Sequence, residues 1–582
     1  YPLHMPGHKR RVPPAPGLGC YAWDLTEIDG ADDLHDADGI LADAMARTAA
    51  LYGARRCWYL VGGSTVGLLA GIRALAPFGS TVIAARNCHK AVYHAIELGQ
   101  LKARWLTPPV DPQFGIYGSV RPADVAAALD AAPDARCVIL TSPTYEGVLS
   151  DIRTIAEICH ARGVPLLVDE AHGLGLSVIL DITHGHACPN TEQGLARYDG
   201  SRYFFSEKFN QWGTPSFDYS QEMARRFLLS NCRYWLEEFR VDGFRFDAVG
   251  NMLYHDHGVD DDFSHVGRCF YGKNGEPRAD ENGELYLCLA NALTHELRPQ
   301  AATIAEEFSG MPGLTCPPHE GGLGFDYRFA MGIPDYWEKC IEAPRDMGSL
   351  WYEMTNHRPY DRTVSYVECH DQCINGDDAM IWRLMGDDMY HYMAVGKENW
   401  NVSRGLAFYR LMRLITLTTA DAGYLNFMGN EFGHPEWLDA EAHAHRQWHL
   451  ADRPDLKYAG LAAWDKAQLR GLVAAHAEDF QQAPLFRFIH EEQRLLAFER
   501  GRLLFAFNFH ELEARQNLTF AVTPGKYVEL LSSDETRFAG HGNLSVACPP
   551  LEHFTRPLPD RYEQDVTLYL PPLVALVLRR ED

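Results

Sequence analysis

Short apolar runs alternate with amphipathic segments along the first part of the chain. The runs VIAA (82–85), CVILTS (137–142) and PLLVDEA (165–171) have the length and composition of buried strands. Between the last two, residues 150–163 repeat apolar side chains at helical spacing and end at a glycine. A strand–helix–strand unit of this length is typical of parallel strands joined by a crossover helix, so we predict a parallel sheet here.

A second series of strands and helices follows, with longer insertions. Its predicted strands are VILDI (178–182), GFRFD (243–247), ATIAEE (302–307), VSYVECHD (364–371) and YLNFMGN (424–430). Residues 223–239 have the pattern of an amphipathic helix. Its predicted apolar side consists of Met223, Phe227, Cys232, Trp235 and Phe239. Acidic residues and histidines recur at the C-terminal ends of these strands, where the active sites of β/α barrels lie.

The pattern changes at about residue 480. Residues 495–510, 527–533 and 566–578 combine short apolar runs with Gly, Pro and Asn turns, which indicates antiparallel β-structure. We therefore predict three regions, which cover residues 1–177, 178–470 and 480–582. The first boundary is unusual, because only a few residues separate two apolar strands, whereas a crossover between parallel strands normally needs a dozen or more.

The composition excludes several classes of function. The 582 residues carry a formal net charge of -25, so the chain repels phosphate groups, and we expect no binding to nucleic acid or to anionic membranes. A neutral glucan is not repelled. No apolar run approaches the roughly 18 residues of a membrane helix. The 14 cysteines are scattered without a Cys-x-x-Cys pair, which is typical of reduced thiols in a cytoplasmic protein and predicts no metal site.

Two carboxyl groups at predicted strand ends suit glycosyl transfer with retention. Strand periodicity places Arg245 and Asp247 on the same side of their strand, and a neighbouring guanidinium keeps a carboxylate ionised, as a nucleophile requires. The reaction also needs a second carboxyl group that is protonated when the leaving oxygen departs. Glu306 follows an apolar stretch, where burial would raise its pKa. His186 and His370 could donate hydrogen bonds to sugar hydroxyls.

The chain is similar to the alpha-amylase superfamily in four signature segments. These are DITHGH (181–186), GFRFD (243–247), TIAEE (303–307) and ECHD (368–371). The sequence around them most resembles the 1,4-alpha-glucan branching enzymes. The longer matching segments are GFRFDAVGNMLYHDHG (243–258), TIAEEFSGMP (303–312), EGGLGFDYRFAM (320–331), ECHDQCINGD (368–377) and NFMGNEFGHPEWLD (426–439).

This resemblance implies roles for individual residues. Asp247 would be the nucleophile, Glu306 the general acid/base and Asp371 the transition-state stabiliser. The subsite around the cleaved bond would be formed by Asp181, His186, Arg245 and His370. Tyr254 and Trp437 are expected either to stack on sugar rings or to pack against the protein.

The resemblance also implies a fold and an activity. The fold would be a truncated (β/α)8 barrel followed by a C-terminal antiparallel β-sandwich. The enzyme would cleave alpha-1,4 links of amylose or glycogen and form alpha-1,6 branches, without a cofactor. Residues 430–435 would be a substrate-contacting loop or a structural strand end. Cys369 stands where the family more often has Ser, with a small expected effect.

Part of the family's pattern is not visible in this sequence. The first two barrel strands, a substrate-contacting Tyr that they carry, and an N-terminal carbohydrate-binding β-sandwich should precede the DITHGH segment. A barrel that lacks two strands has open edges. Two alternatives therefore stay open, namely another hydrolase or transferase of the amylase superfamily and a fusion without activity.

A second set of motifs lies in the first third of the chain. LVGGSTVGLLAGI (60–72) contains a Gly-Gly-Ser-Thr turn that enters a helix and suits phosphate binding, and LLVDEAHG (166–173) places an Asp where it can pair with a pyridinium nitrogen. Together with HMPGHK (4–9), ARNCHKAVYHA (85–95) and LTSPTYEGV (140–148), these motifs resemble the major domain of the pyridoxal-phosphate-dependent Orn/Lys/Arg decarboxylases. A partial PLP-transferase-like parallel sheet is implied, so the whole chain is of the α/β class.

By this resemblance Ser64 and Thr65 would contact the cofactor phosphate. His89 would contact the face of the cofactor ring and Asp169 its nitrogen. His172 would lie on the substrate side. In the family a Ser-x-His-Lys segment follows DEAHG and supplies the Schiff-base lysine, whereas this chain continues into VILDITHGH. Without that lysine covalent attachment fails, so we expect no decarboxylase activity and, at most, weak noncovalent binding of pyridoxal phosphate. The sequence gives no indication of the oligomeric state.

Overall fold

The structure is a computed structural model that divides into two compact units, with the division between Ser177 and Val178. It describes residues 37–60, 63–110, 116–144, 148–170, 177–189, 200–210, 212–239, 241–258, 263, 265–343, 346–358, 360–374, 378–434, 447–557 and 564–581.

The first unit is a parallel sheet with helices on both faces. Its elements are α1 (Ile40–Leu51), α2 (Gly63–Leu75), β1 (Thr81–Ala85), α3 (Lys90–Leu98), β2 (Lys102–Leu106), α4 (Pro122–Ala131), β3 (Ala135–Thr141), α5 (Ile152–Ala161) and β4 (Leu166–Asp169). The strands lie in the order β2-β1-β3-β4 and all pair in parallel, which confirms the predicted sheet. The sequence pattern did not predict β2, because most of its side chains are exposed or half-buried.

Two apolar layers cover the sheet of the first unit. One includes Ile83, Val138 and Ile155, and the other is formed on the opposite face by α2, α3 and residues such as Val82 and Ile139. Every residue of β1 is buried. Strands covered on both faces are continuously apolar instead of alternating, which is why short apolar runs were sufficient to find them.

The second unit begins with a second series of parallel strands. Its strands are β5 (Ile179–Ile182), β6 (Phe205–Phe209), β7 (Pro215–Phe217), β8 (Gly243–Phe246), β9 (Ala302–Ala305), β10 (Tyr327–Phe329), β11 (Thr363–Tyr366) and β12 (Gly423–Leu425). Six of them form one parallel sheet in the order β5-β8-β9-β10-β11-β12, while β6 and β7 form a separate antiparallel hairpin. Within the described residues no strand pairs with the outer edge of β5 or of β12, so this is a partial barrel with two open edges.

Helices cover this sheet and connect it to the end of the chain. They are α6 (Glu222–Tyr234), α7 (Val249–Leu253), α8 (Glu281–Leu297), α9 (Gly332–Glu342), α10 (Met347–Thr355), α11 (His370–Ile374), α12 (Met380–Met385), α13 (Asp388–Tyr392), α14 (Trp400–Thr419), α15 (Lys457–Lys466) and α16 (Ala477–Phe480). Most residues of α14 are buried. In the described parts of the chain, no helix is both long enough and apolar enough to cross a membrane.

The predicted apolar side of the helix at 223–239 was right for Cys232 and Trp235 and wrong for Met223, Phe227 and Phe239. The α6 helix buries Ala224, Leu228 and Cys232, whereas Met223 is 54% and Phe227 43% exposed. The helix therefore packs through smaller side chains than the pattern of large ones indicated. It continues as a π-helix over Trp235–Phe239, and this change of helical period shifts the last residues relative to the first.

The end of the chain forms the predicted antiparallel β-sandwich. Its strands are β13 (Leu485–His490), β14 (Leu495–Arg500), β15 (Leu503–Asn508), β16 (Arg515–Val522), β17 (Lys526–Ser532), β18 (Glu552–Phe554), β19 (Arg556–Pro557), β20 (Gln564–Leu570) and β21 (Val574–Glu581). One sheet has the order β13-β14-β15-β21-β17-β18 and the other the order β16-β20-β19. A core that includes Leu504, Phe520 and Leu568 lies between them.

Candidate active site

The candidate site lies at the C-terminal ends of the parallel strands of the second unit. Phe244 and Phe246 of β8 are fully buried in the core, so the alternation of the strand sends Arg245 and Asp247 to the opposite side, as predicted. The backbone holds the strand ends together, because the Asp247 N–H donates to the Ile182 carbonyl and the Glu306 N–H donates to the Phe246 carbonyl, at 3.1 and 3.0 Å.

Arg245 joins three of the predicted site residues. Its Nη1 lies 2.7 Å from Asp181 Oδ2 and 2.7 Å from Asp247 Oδ1, and its Nη2 lies 3.1 Å from Glu306 Oε2. The guanidinium is only 8% exposed and lies over the ring of Phe329, with Cζ 5.5 Å from the ring centroid. One buried cation therefore contacts both the predicted nucleophile and the predicted general acid.

The two carboxyl groups have opposite electrostatic environments. Burial opposes ionisation of Asp247, but His186 and Arg245 together lower the pKa of that carboxyl below its usual range. Burial of Glu306 outweighs the attraction of Arg245 and raises the pKa of that carboxyl to about 7. An ionised nucleophile beside a carboxyl that is protonated near neutral pH is the division of roles that retaining glycosyl transfer requires.

A left-handed residue positions the acid. Ala248 has φ 51°, a conformation that side-chain-bearing residues rarely adopt, and it turns the chain directly after Asp247. Its N–H then donates to Glu306 Oε2 at 2.7 Å, while the N–H of Val249 donates to the Glu306 carbonyl at 2.9 Å. The backbone that follows the nucleophile thus fixes the carboxyl group and the main chain of the acid.

His186 faces the nucleophile from the hairpin side of the site. Its Nε2 lies 3.5 Å from Asp247 Oδ2, and its Nδ1 lies 3.0 Å from Thr214 Oγ1. Asp181 is the most open member of the group, with 51% of its side chain exposed. Both residues lie at the edge of the site nearest to β5, and their predicted role in the subsite around the cleaved bond stays a prediction.

Asp371 and His370 lie beyond β11. The two side chains are 3.5 Å apart at His370 Nε2 and Asp371 Oδ1, and the Cys369 thiol donates to Asp371 Oδ2 at 3.5 Å. Burial, with a further contribution from the charge of Asp371, raises the pKa of Cys369 to about 12. The ligand atoms of these three residues lie within 4.8 Å of one another and could hold a metal ion, although the thiolate that a soft metal needs is disfavoured.

Tyr254 does not fit the predicted sugar contact. It is fully buried, its hydroxyl is 2.5 Å from Ser309 Oγ, and its ring packs against Phe263 and under Arg278. The ring therefore has no face for a sugar. Residues 430–434 lie in a turn after β12 and not at a strand end, and Asn430 and His434 are buried, with Asn430 donating to the buried carboxylate of Glu368. Trp437 lies outside the described residues.

The second set of predicted residues lies in the first unit. Ser64 and Thr65 are exposed in the first turn of α2, and His89 precedes α3 with its Nδ1 accepting from the Ala91 N–H at 3.2 Å. Asp169 ends β4 and is 6% exposed. His172 lies outside the described residues.

Comparison with known proteins matches the early and the late parts of the chain to different families. A model of the Orn/Lys/Arg decarboxylase major domain matches residues 17–192, and a model of the alpha amylase C-terminal all-beta domain matches residues 487–581. The 1,4-alpha-glucan-branching enzyme of Rhizophagus irregularis is 40% identical over 432 residues, which cover 71% of this chain and 62% of the relative. That of Equus caballus is 40% identical over 444 residues, which cover 72% of this chain and 61% of the relative.

The chain joins a decarboxylase-like part to a branching-enzyme-like part. The branching-enzyme likeness spans less than two thirds of the length of these relatives. A solved alpha-amylase from Geobacillus thermoleovorans, complexed with acarbose, aligns with a TM-score of 0.45 at 11% identity over 86% of this chain and 98% of its own, which is too weak a likeness to support an inference.

The decarboxylase-like part does not fit a covalently held pyridoxal phosphate. By the resemblance to the decarboxylases, attachment would need a lysine on the segment that follows β4. In this chain the next described strand after β4 is β5, which pairs with β8 of the branching-enzyme-like part. The sequence thus enters a different sheet at the place where the lysine is expected.

One aromatic residue beside the site, Trp212, was not predicted from the sequence. Trp212 lies at the tip of the β6–β7 hairpin, 54% exposed, with its ring centroid 5.3 Å from that of His186. The signal in the sequence was the short segment WGTP (212–215), in which Gly213 has a positive φ. The hairpin strands around it were not predicted, so the turn was not placed beside the site.

Proposed function

We propose that this protein forms alpha-1,6 branches in alpha-glucans of the glycogen or starch type by a retaining double displacement. The observation that carries the proposal is the single guanidinium of Arg245, which contacts Asp247 and Glu306 while the environment moves their pKa values apart. The likeness to branching enzymes supports the choice of transfer over other reactions of the same site.

In the first step Asp247 attacks the anomeric carbon of a glucan, and the alpha-1,4 bond breaks as protonated Glu306 gives its proton to the leaving 4-oxygen. In the second step ionised Glu306 takes the proton of an acceptor 6-hydroxyl, which displaces Asp247 and forms an alpha-1,6 bond. Asp371 stabilises the positive charge that develops on the sugar ring in both steps. Asp181, His186 and His370 hold the sugar, and the chemistry needs no cofactor.

A second candidate, a chain without activity on its own, is favoured by the open edge of β5. Val178 is 58% exposed beside that edge and half of the Asp181 side chain is open to solvent. Barrel strands on that side would shield the site from water, and water is the competitor that turns transfer into hydrolysis. Hydrolysis is a third candidate, because water that enters through the open edge could react in place of the glucan acceptor.

Incubation of the purified chain with amylose tests the proposal. We expect the iodine colour to fall and a debranching enzyme to release new short chains, with little reducing sugar before debranching. The Asp247→Asn chain should leave the iodine colour unchanged. Reducing sugar without new branches would identify a hydrolase. No change in any of these measurements, with the chain alone or with a fragment that closes the barrel, would overturn the proposal.

A further inference from the structure

We propose that Trp212 is a sugar-stacking residue of this site, which receives the face of a pyranose ring of the alpha-glucan beside Asp247. This inference rests on the proposed function and adds a subsite to it. Binding sites for small polar ligands combine aromatic faces with a few polar groups that fix orientation. An indole that is 54% exposed, next to a histidine that faces the nucleophile, supplies such a face.

The turn that carries Trp212 is held by one buried side chain. Asn210 is 5% exposed, and its Oδ1 accepts from the Trp212 N–H at 3.1 Å, from the Thr214 N–H at 3.0 Å and from the Thr214 hydroxyl at 2.9 Å. Gly213, with φ 68°, supplies the left-handed conformation that closes the turn. The N–H groups on both sides of Gly213 thus share one buried acceptor, and hydrogen bonds that hold a turn in one conformation lower the entropic cost of binding.

The same turn orients His186. Since the Thr214 hydroxyl gives its only proton to Asn210, its oxygen accepts from His186 Nδ1–H, 3.0 Å away. This places Nε2 toward Asp247, 3.5 Å away, and leaves the imidazole inclined by 37° to the exposed indole. The hairpin tip thus sets the distance between an aromatic face and the reacting carboxylate.

Binding of maltoheptaose to the inactive Asp247→Asn chain, measured by titration calorimetry, separates this role from catalysis. In that background we expect Trp212→Ala to weaken binding about tenfold and Trp212→Phe to stay within about threefold of the parent. Trp212→Leu fills the space without a flat ring, so it should weaken maltoheptaose binding as much as Trp212→Ala does. Trp58→Ala removes an indole that is 66% exposed in the other unit, and it should leave the affinity for maltoheptaose unchanged.

The outcomes distinguish this inference from the proposed function. Equal maltoheptaose affinity in the Asp247→Asn parent and its Trp212→Ala and Trp212→Leu derivatives would overturn the stacking role alone. No binding by the Asp247→Asn parent, together with no branching by the wild-type chain, would overturn both. A Trp212→Ala chain with lower thermal stability would still be judged by Trp212→Leu and Trp212→Phe, since a role in packing predicts that Leu restores binding.

Discussion

Single residues decide the chemistry of the candidate site, and Arg245 is the residue on which the others depend. Its side chain contacts Asp181, Asp247 and Glu306, and its Nε finds no hydrogen-bond partner within the described residues. A buried guanidinium that lost these carboxylates would be very costly. The arginine and the acids are therefore mutually required, and the short segment GFRFD was enough to predict this pair from the sequence.

The pH dependence of the reaction follows from the two carboxyl groups. Glu306 must be protonated to act as an acid, and because its pKa is raised to about 7, kcat/KM should fall as the pH rises through that value. Asp247 must be ionised, and because its pKa lies below the usual 3.8, the acidic limb should lie below that pH if the fold persists. Initial rates on amylose across this range measure both limbs. An alkaline limb near pH 5 would contradict the burial of Glu306.

At the scale of elements, the parallel strands were predictable and several other parts were not. Segments such as VIAA and GFRFD are buried on at least one face, so their apolar pattern reports the strand directly. The strand β10 is only three residues long, and the exposed β2 carries Lys102 and Arg104, so neither has a clear pattern. The α6 helix itself was predicted, but its buried side was predicted only in part, because the sequence does not say which of two apolar sides faces the core.

Site residues at strand ends were predictable from the sequence, whereas residues on loops were less so. Asp247 and Glu306 follow β8 and β9 directly, so their convergence follows from the parallel sheet. Tyr254 and Trp212 lie on connections between elements, and whether a ring on a connection is buried depends on tertiary packing. For this reason the sequence predicted an accessible ring at Tyr254, which is buried, and did not predict the exposed ring of Trp212 beside His186.

The segment that carries Asp371 depends on a buried carboxylate. Glu368 is 1% exposed and accepts from the Met380 N–H at 2.7 Å, from the Cys373 thiol at 3.1 Å and from the Asn430 amide. Glu368→Gln would replace one acceptor by a donor that faces other donors. We expect a loss of about 1–3 kcal/mol in the free energy of unfolding, measured with urea.

Glu237→Gln is the matched control for this change. Glu237 pairs with Arg233 on the surface of the second unit, so its substitution should leave the urea midpoint of unfolding close to that of the wild-type chain. Equal unfolding midpoints for Glu368→Gln and Glu237→Gln would contradict the role assigned to Glu368.

At the scale of the whole molecule, the partial barrel leaves the outer strands β5 and β12 unpaired on one side within the described residues. An unpaired edge strand exposes backbone groups that can pair with another chain. Exposed apolar side chains lie on the helix between β5 and β8, where Met223 is 54% and Phe227 43% exposed. Two further strand–helix units would bring the six strands to the eight of a closed barrel.

Addition of those two units from another protein should therefore raise activity. The part of the Rhizophagus irregularis branching enzyme that has no counterpart in this chain, coexpressed with it, is expected to copurify and to increase the rate of branch formation. The pair made with Asp247→Asn should copurify without activity. A fragment that neither binds nor changes the rate, while the chain alone is active, would show that six strands suffice.

The central claim is that Asp247 forms a covalent bond to the sugar, and mass spectrometry of a trapped intermediate tests it most directly. Glu306→Gln removes the acid/base, so a maltosyl fluoride, whose leaving group needs no proton, should glycosylate the enzyme faster than an acceptor can release it. Digestion of the quenched sample is predicted to yield the peptide that contains Asp247 with one added maltosyl group. An adduct on another residue, or a turnover of the fluoride with no adduct and unchanged Asp247, would contradict the account.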